Sequence, residues 1–170
     1  ADDGIRDTNS GLVGSEMCIR DRAMAVEWIA DKDHMASYPV IVATPSAERE
    51  PFAPASEDRE EILEIDWQPM VEAMVEDSRR GVDVGIIAAR FHNALVEAIL
   101  AVAKAVGEPK VALTGGCFQN RLLTERASQR LREAGFDVLL HRQVPPNDGG
   151  ISLGQIAVAA ARMERQDSVD

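Results

Sequence analysis

Cysteine is nearly absent from this chain: Cys18 and Cys117 are the only two in 170 residues. They are too few and too far apart for a disulfide framework or a cysteine-built zinc site, so both read as reduced thiols. Basic charge is also short, with 18 Lys and Arg against 29 Asp and Glu, a formal net charge of −11. No basic stripe offsets that deficit, which makes duplex DNA or an anionic membrane a poor electrostatic partner. No uninterrupted apolar run approaches the roughly 20 residues that span a bilayer. The first residues lack the basic-then-apolar order of a secretion signal, so a cytoplasmic location is the expectation. Histidine is scarce as well. His34, His92 and His141 fall on a loop, a helix and a strand end without ligand-type spacing, which excludes a self-contained metal centre and leaves each a structural reading. His92, in the middle of an apolar helix, reads as a hydrogen-bonded core residue.

What the chain does have is 45% hydrophobic residues, enough for one globular domain or two small lobes. They are unevenly placed. Residues 1–22 are polar, bear glycine and show no helical or strand period, so they read as a disordered tail. That stretch also resembles translated sequencing-adaptor read-through, which marks it as non-native and places the native frame further upstream. From residue 23 a period appears. Met24, Val26, Ile29 and Ala30 predict one face of a short helix, and Tyr38 to Ala43 an extended run. Residues 44–60, with three prolines and many charges, read as an exposed loop. Ile62, Leu63, Ile65 and Trp67 predict a short strand, and Pro69 opens a helix that Gly81 ends.

The strongest helical pattern covers 83–106, where Ile87, Phe91, Leu95, Ala98, Val102 and Val106 recur every three or four positions. After Gly107 the pattern alternates: an apolar strand over 111–114, a helix over 121–133, a second strand over 136–140 and an Ala-rich helix over 151–163. Residues 164–170 are a polar tail. Strand, helix, strand, helix predicts an α/β lobe with parallel strands.

Two loops in that lobe carry candidate chemistry. In VALTGGCFQNRLLTER, residues 111–126, Gly115 and Gly116 stand between a strand and a helix. Glycines there permit positive φ and close approach of backbone N–H groups to an anion, and the helix N-terminus adds partial positive charge. The pattern is neither GxGxxG nor GxxxxGK[ST], so a tight corner explains it as well as a phosphate site does. Asn120 can cap the helix or donate its amide to a ligand. The second loop, HRQVPPNDGGISLGQ, residues 141–155, leaves the other strand at the same carboxyl edge, where α/β sheets bind ligands. Asn147 and Asp148 present oxygens there, and Gly149 and Gly150 allow close backbone contact. Asp148 can cap the helix or ligate a metal, although one carboxylate is no metal site. Cys117 lies near a helix start, where a thiol is activated, yet no general base is identifiable beside it.

Three separated motifs, IAARFHNALVEAI at 87–99, LTGGCFQNRLLTE at 113–125 and GFDVLLHRQVPPNDGGISLGQ at 135–155, together resemble the C-terminal end of the carbamoyltransferase HypF family of nickel-iron hydrogenase maturation. The resemblance covers roughly residues 23–163. It implies the second lobe of an ASKHA fold, as in actin and sugar kinases, with a mixed sheet flanked by helices. It also implies that ATP and carbamoyl phosphate give carbamoyl-adenylate, whose carbamoyl group passes to the C-terminal cysteine of a HypE partner. Gly115, Gly116 and Asn120 are similar to the family's nucleotide- and adenylate-contacting residues, and Asp148 to the single ligand this lobe gives a divalent metal. The attacking thiolate is then the partner's, so Cys117 need not react.

The first lobe, with its acidic phosphate-binding turn and paired histidines, is missing from these residues. The chain therefore reads as a C-terminal fragment, inactive alone and weak in ATP binding. The competing readings are a lobe of the tRNA threonylcarbamoyl-transferring family, disfavoured by the acidic charge, and a non-catalytic lobe that docks another protein through an exposed apolar face. A generic dinucleotide-binding fold is a distant third.

Overall fold

The structure, a computed structural model, describes residues 24–43 and 63–167. The predicted tail at 1–22 and the loop at 44–60 lie outside the described residues. A short helix, α1, covers residues 24–29. It is followed by β1 (Ile41–Ala43), β2 (Glu64–Asp66), α2 (Gln68–Arg79), α3 (Val84–Val106), β3 (Lys110–Leu113), α4 (Arg121–Glu133), β4 (Asp137–Leu140) and α5 (Ile151–Asp167). The residues predicted as a polar tail begin inside α5.

The long helix α3 is the spine. Asp83 caps its start by accepting from the Gly85 N–H at 2.8 Å, and Gly107, at φ +76°, ends it in the left-handed conformation that a side chain would oppose. By composition α3 is long and apolar enough to cross a membrane, but half of that apolar window is buried in the fold, as befits a core helix. On one side Val96, Leu100 and Ala103 meet Leu123, Ala127 and Leu131 of α4 and Leu113 of β3. Leu123, Ala127 and Leu131 recur every four residues along α4, so a single apolar stripe does the packing. On the other side Ala94 meets Tyr38 and Met70 of α2. Small residues bring the backbones close at a third contact, where Ala88, Ala89, Leu122 and Ala30 cluster. There the Gly85 carbonyl accepts from the Asp31 N–H at 2.9 Å.

Tyr38 anchors the segment before β1. Its ring is buried, its hydroxyl donates to Asp77 Oδ2 at 2.7 Å, and the Arg90 guanidinium stands 4.1 Å over the ring while pairing with Asp77. Burial, with the neighbouring carboxylate, pushes the Tyr38 hydroxyl up to about 12.

The fold class is the α/β lobe that the alternation predicts, with its strands paired as two ribbons. β1 and β2 pair antiparallel, Ile41 opposite Asp66, and β3 and β4 pair parallel, with Lys110 opposite Asp137 and Leu113 opposite Leu140. Only the second ribbon, joined through α4, has the βαβ geometry that brings two loops to one carboxyl edge. The helix α5 follows β4 but packs against little: every residue from 151 to 163 is exposed.

Candidate functional site

Both loops singled out in the sequence leave the carboxyl ends of β3 and β4, and they are tied together. The Gly115 N–H donates to the Pro146 carbonyl at 2.7 Å, and His141 Nε2 lies 3.0 Å from Thr114 Oγ1. Gly115 adopts φ +104°, which requires glycine. Gly116 does not have positive φ, and a Cβ built there meets nothing within 4 Å. Its glycine character answers to no need of the fold itself. A single 3-10 turn, Gly116–Gln119, then leads into α4. The N–H groups of Gly116 and Cys117 donate to nothing among the described residues.

The N-terminus of α4 is not the open anion site that a strand-glycine-helix corner suggests. Glu27 reaches over from α1, and its Oε1 accepts from the N–H groups of Arg121 at 2.7 Å and Leu122 at 3.1 Å. Asn120 Oδ1 accepts from the Leu123 N–H at 2.8 Å. The first three amides of the helix are thereby satisfied within the protein, two by a carboxylate that also complements the helix dipole. Nothing in the local sequence announces Glu27, because its contact spans 94 positions. What stays open to a ligand is the turn before the helix.

Asn120 does act as the helix cap, and the structure adds a partner that the sequence does not reveal. Its Nδ2 lies 2.9 Å from Nε2 of His92, whose other ring nitrogen, Nδ1, lies 2.8 Å from the Ala88 carbonyl. His92 is the buried, hydrogen-bonded helix residue expected of it, 2% exposed. With one N–H of Asn120 engaged, its amide keeps a second. His92 and Asn120 line a cleft of about 690 Å³ with Gly116, Cys117 and an apolar wall that includes Val26, Phe91 and Leu95. A pocket with apolar sides and a few convergent polar groups is the form that ring-bearing ligands take to.

The second loop is built by its own packing. Asn147 Oδ1 accepts from the Gly149 N–H at 3.1 Å, so Asn147 rather than Asp148 caps the short turn Asp148–Gly150. Neither Gly149 nor Gly150 has positive φ. A Cβ at Gly149 would stand 3.1 Å from Asn147 Oδ1, and one at Gly150 would stand 3.0 Å from the Pro145 carbonyl oxygen. Close approach within the loop favours glycine at both, more firmly at Gly150, where the neighbour is backbone. The Asp148 side chain is exposed and accepts no hydrogen bond among the described residues. No group of three metal-ligating side chains exists among the described residues. Asp148 can supply one carboxylate to a metal, and this chain's described residues do not complete a coordination shell. Cys117 is an exposed free thiol that lines the cleft.

A family model described as "Carbamoyltransferase, Kae1-like Domain, second subdomain" matches residues 21–155. The carbamoyltransferase HypF of Synechocystis is 42% identical over 99 residues, 58% of this chain and 13% of the relative. HypF2 of Cupriavidus necator is 40% identical over 104 residues, 58% of this chain and 12% of the relative. Among solved structures, full-length HypF in its phosphate- and nucleotide-bound form is 32% identical with a TM-score of 0.66, covering 84% of this chain and 17% of that one. The fold of HypF from T. kodakarensis is also alike, at a TM-score of 0.56 and 22% identity over the same shares. The chain spans about one eighth of the length of the curated relatives it matches. It belongs to the HypF carbamoyltransferase family and carries the second subdomain of that family's Kae1-like domain.

Proposed function

We propose that these residues form the nucleotide-facing half of a carbamoyltransferase that uses ATP and carbamoyl phosphate, by way of carbamoyl-adenylate, to carbamoylate the C-terminal cysteine of a HypE-type protein. The observation that carries this reading is the pinned pair of loops. The Gly115–Pro146 hydrogen bond holds them at one edge, with the Gly116 and Cys117 N–H groups unengaged and Asn120 beside them over an apolar cleft. Support comes from the 32% identical HypF whose structure holds phosphate and nucleotide. In this reading Gly115 sets the turn, the Gly116 and Cys117 amides face phosphate oxygens, and Asn120 donates to an acceptor on the adenylate. Backbone donors aimed at developing charge are the usual source of such stabilisation. A divalent metal, when bound, neutralises phosphate charge, with Asp148 as this subdomain's one ligand to it.

The exposed apolar residues Leu153, Ile156 and Met163, which share one side of α5, are the face we assign to the remainder of the domain, whose first lobe shares the nucleotide. The acidic surface disfavours the tRNA-directed alternative. The test uses a chimera in which residues 24–167 replace the matching segment of the Synechocystis enzyme. Asn120→Ala and Asp148→Ala should each cut ATP-dependent carbamoyl transfer to HypE at least tenfold, roughly the worth of one lost charged or oriented contact, with unchanged circular dichroism. Full activity in both variants discards the assignment.

A further inference from the structure

The hydrogen bonds from Ala88 to Leu123 form a chain in which each proton position fixes the next. A carbonyl can only accept, so the 2.8 Å contact with Ala88 requires His92 Nδ1 to carry a proton. Nε2 is then the ring's acceptor, and the group 2.9 Å away must be the nitrogen of the Asn120 amide. The amide oxygen is thereby turned to the Leu123 N–H, which it meets at 2.8 Å. The opposite orientation would set the Asn120 NH₂ against the Leu123 N–H and the amide oxygen against a lone pair of His92. One orientation satisfies all four groups and the other satisfies none of the pairs between Asn120 and its neighbours.

We propose that His92 is a positioning residue for the nucleotide site. From its buried place on α3 it locks the Asn120 amide so that the second N–H stays available, in the cleft both residues line, to a ligand's hydrogen-bond acceptor. This rests on the reading of Asn120 as a nucleotide contact. It goes further by assigning the orientation of that contact to a residue on another helix, 28 positions away. His92 itself has both ring nitrogens engaged within the protein.

Two measurements test it. In the 170-residue chain, ¹⁵N-resolved nuclear magnetic resonance should find His92 as the Nδ1–H tautomer; the Nε2–H tautomer would overturn the proposal at once. In the chimera, calorimetry with ATP compares Asn120→Ala, His92→Leu, His92→Gln and the His92→Leu/Asn120→Ala double variant. The expected result is about tenfold weaker binding for Asn120→Ala and for His92→Leu. The double variant should be no weaker than Asn120→Ala alone, and His92→Gln, which restores an acceptor, should recover part of the loss. Should Asn120→Ala bind ATP normally, the site reading fails and this inference with it. Should Asn120→Ala weaken binding while His92→Leu does not, or should the two losses simply add, the site stands and the role of His92 falls. If His92→Leu does not fold, His92→Gln decides by the same comparison.

Discussion

Adjacent glycines of the same dipeptide do different work. Gly115 sits at φ +104°, and Gly116 sits in an ordinary conformation with open space where a Cβ would be. Gly115→Ala should therefore lower stability by about 1–3 kcal/mol, the cost of holding a side chain at positive φ with extended ψ, a region nearly exclusive to glycine, as read from a urea midpoint. Gly116→Ala should leave that midpoint unchanged and weaken ATP binding in the chimera, because its methyl group would project where a ligand approaches. A shared stability loss in both would mean that the corner, and not a ligand, selects the second glycine. Tyr38 makes the stability of the fold depend on pH. Its hydroxyl is raised from an ordinary value of 10.0 to about 12. The unfolded chain thus loses this proton first as pH rises, so the stability it contributes is complete below pH 10 and fades between 10 and 12. Tyr38→Phe should be less stable than the parent by about 1 kcal/mol at neutral pH, the net worth of a buried hydrogen bond. That gap should narrow as the pH passes 10, and a constant gap in denaturation midpoints up to pH 12 would contradict the assignment.

Among the elements, those with a long period were legible and those defined by distant partners were not. The spacing from Ile87 to Val106 is enough to place α3, and Asp83 and Gly107 mark its ends by chemistry any sequence reader can use. Strands β1 and β2 are three residues each, too short for alternation to show which runs pair or in which direction. The anion-binding promise of the α4 N-terminus failed for a similar reason: the carboxylate that occupies it comes from α1. What lets α1 come so close is Gly85, where a Cβ would stand 2.7 Å from the Ile29 carbonyl oxygen. Backbone cannot yield as a side-chain tip can. Gly85→Ala should thus force α1 away from α3, costing about 1–3 kcal/mol, the usual range for overpacking. It should also expose the Arg121 and Leu122 amides that Glu27 covers, visible as faster hydrogen exchange at those two positions. Retained protection there would show that α1 does not depend on the crossing at Gly85.

Across the described residues much apolar surface is uncovered. Every residue of α5 from 151 to 163 is exposed, Ile156 at 65%. A second cleft of about 670 Å³, lined by Val40, Ile65, Trp67, Val102 and Val106, opens between the β1–β2 ribbon, α3 and β3, with Trp67 itself 62% exposed. The sequence disclosed the apolar composition of these elements and the position of both site loops. It could not disclose that α5 would stay exposed among the described residues, because composition says that a helix is apolar and not what covers it. The proposed metal contact shows the same limit, since Asp148 was legible as a ligand type while no group of three metal-ligating side chains forms among the described residues. Apolar patches of this extent drive association in water, and the net charge of −11 opposes it only where charges are unscreened. The isolated chain should therefore self-associate with rising concentration in light scattering, more strongly in 0.5 M salt than in dilute buffer. Ile156→Asp and Trp67→Glu should each reduce the effect without altering circular dichroism, since neither side chain serves the core. A monodisperse monomer at every salt concentration would mean that these faces are stable in water, and the assignment of α5 to the rest of the domain would lose its physical motive.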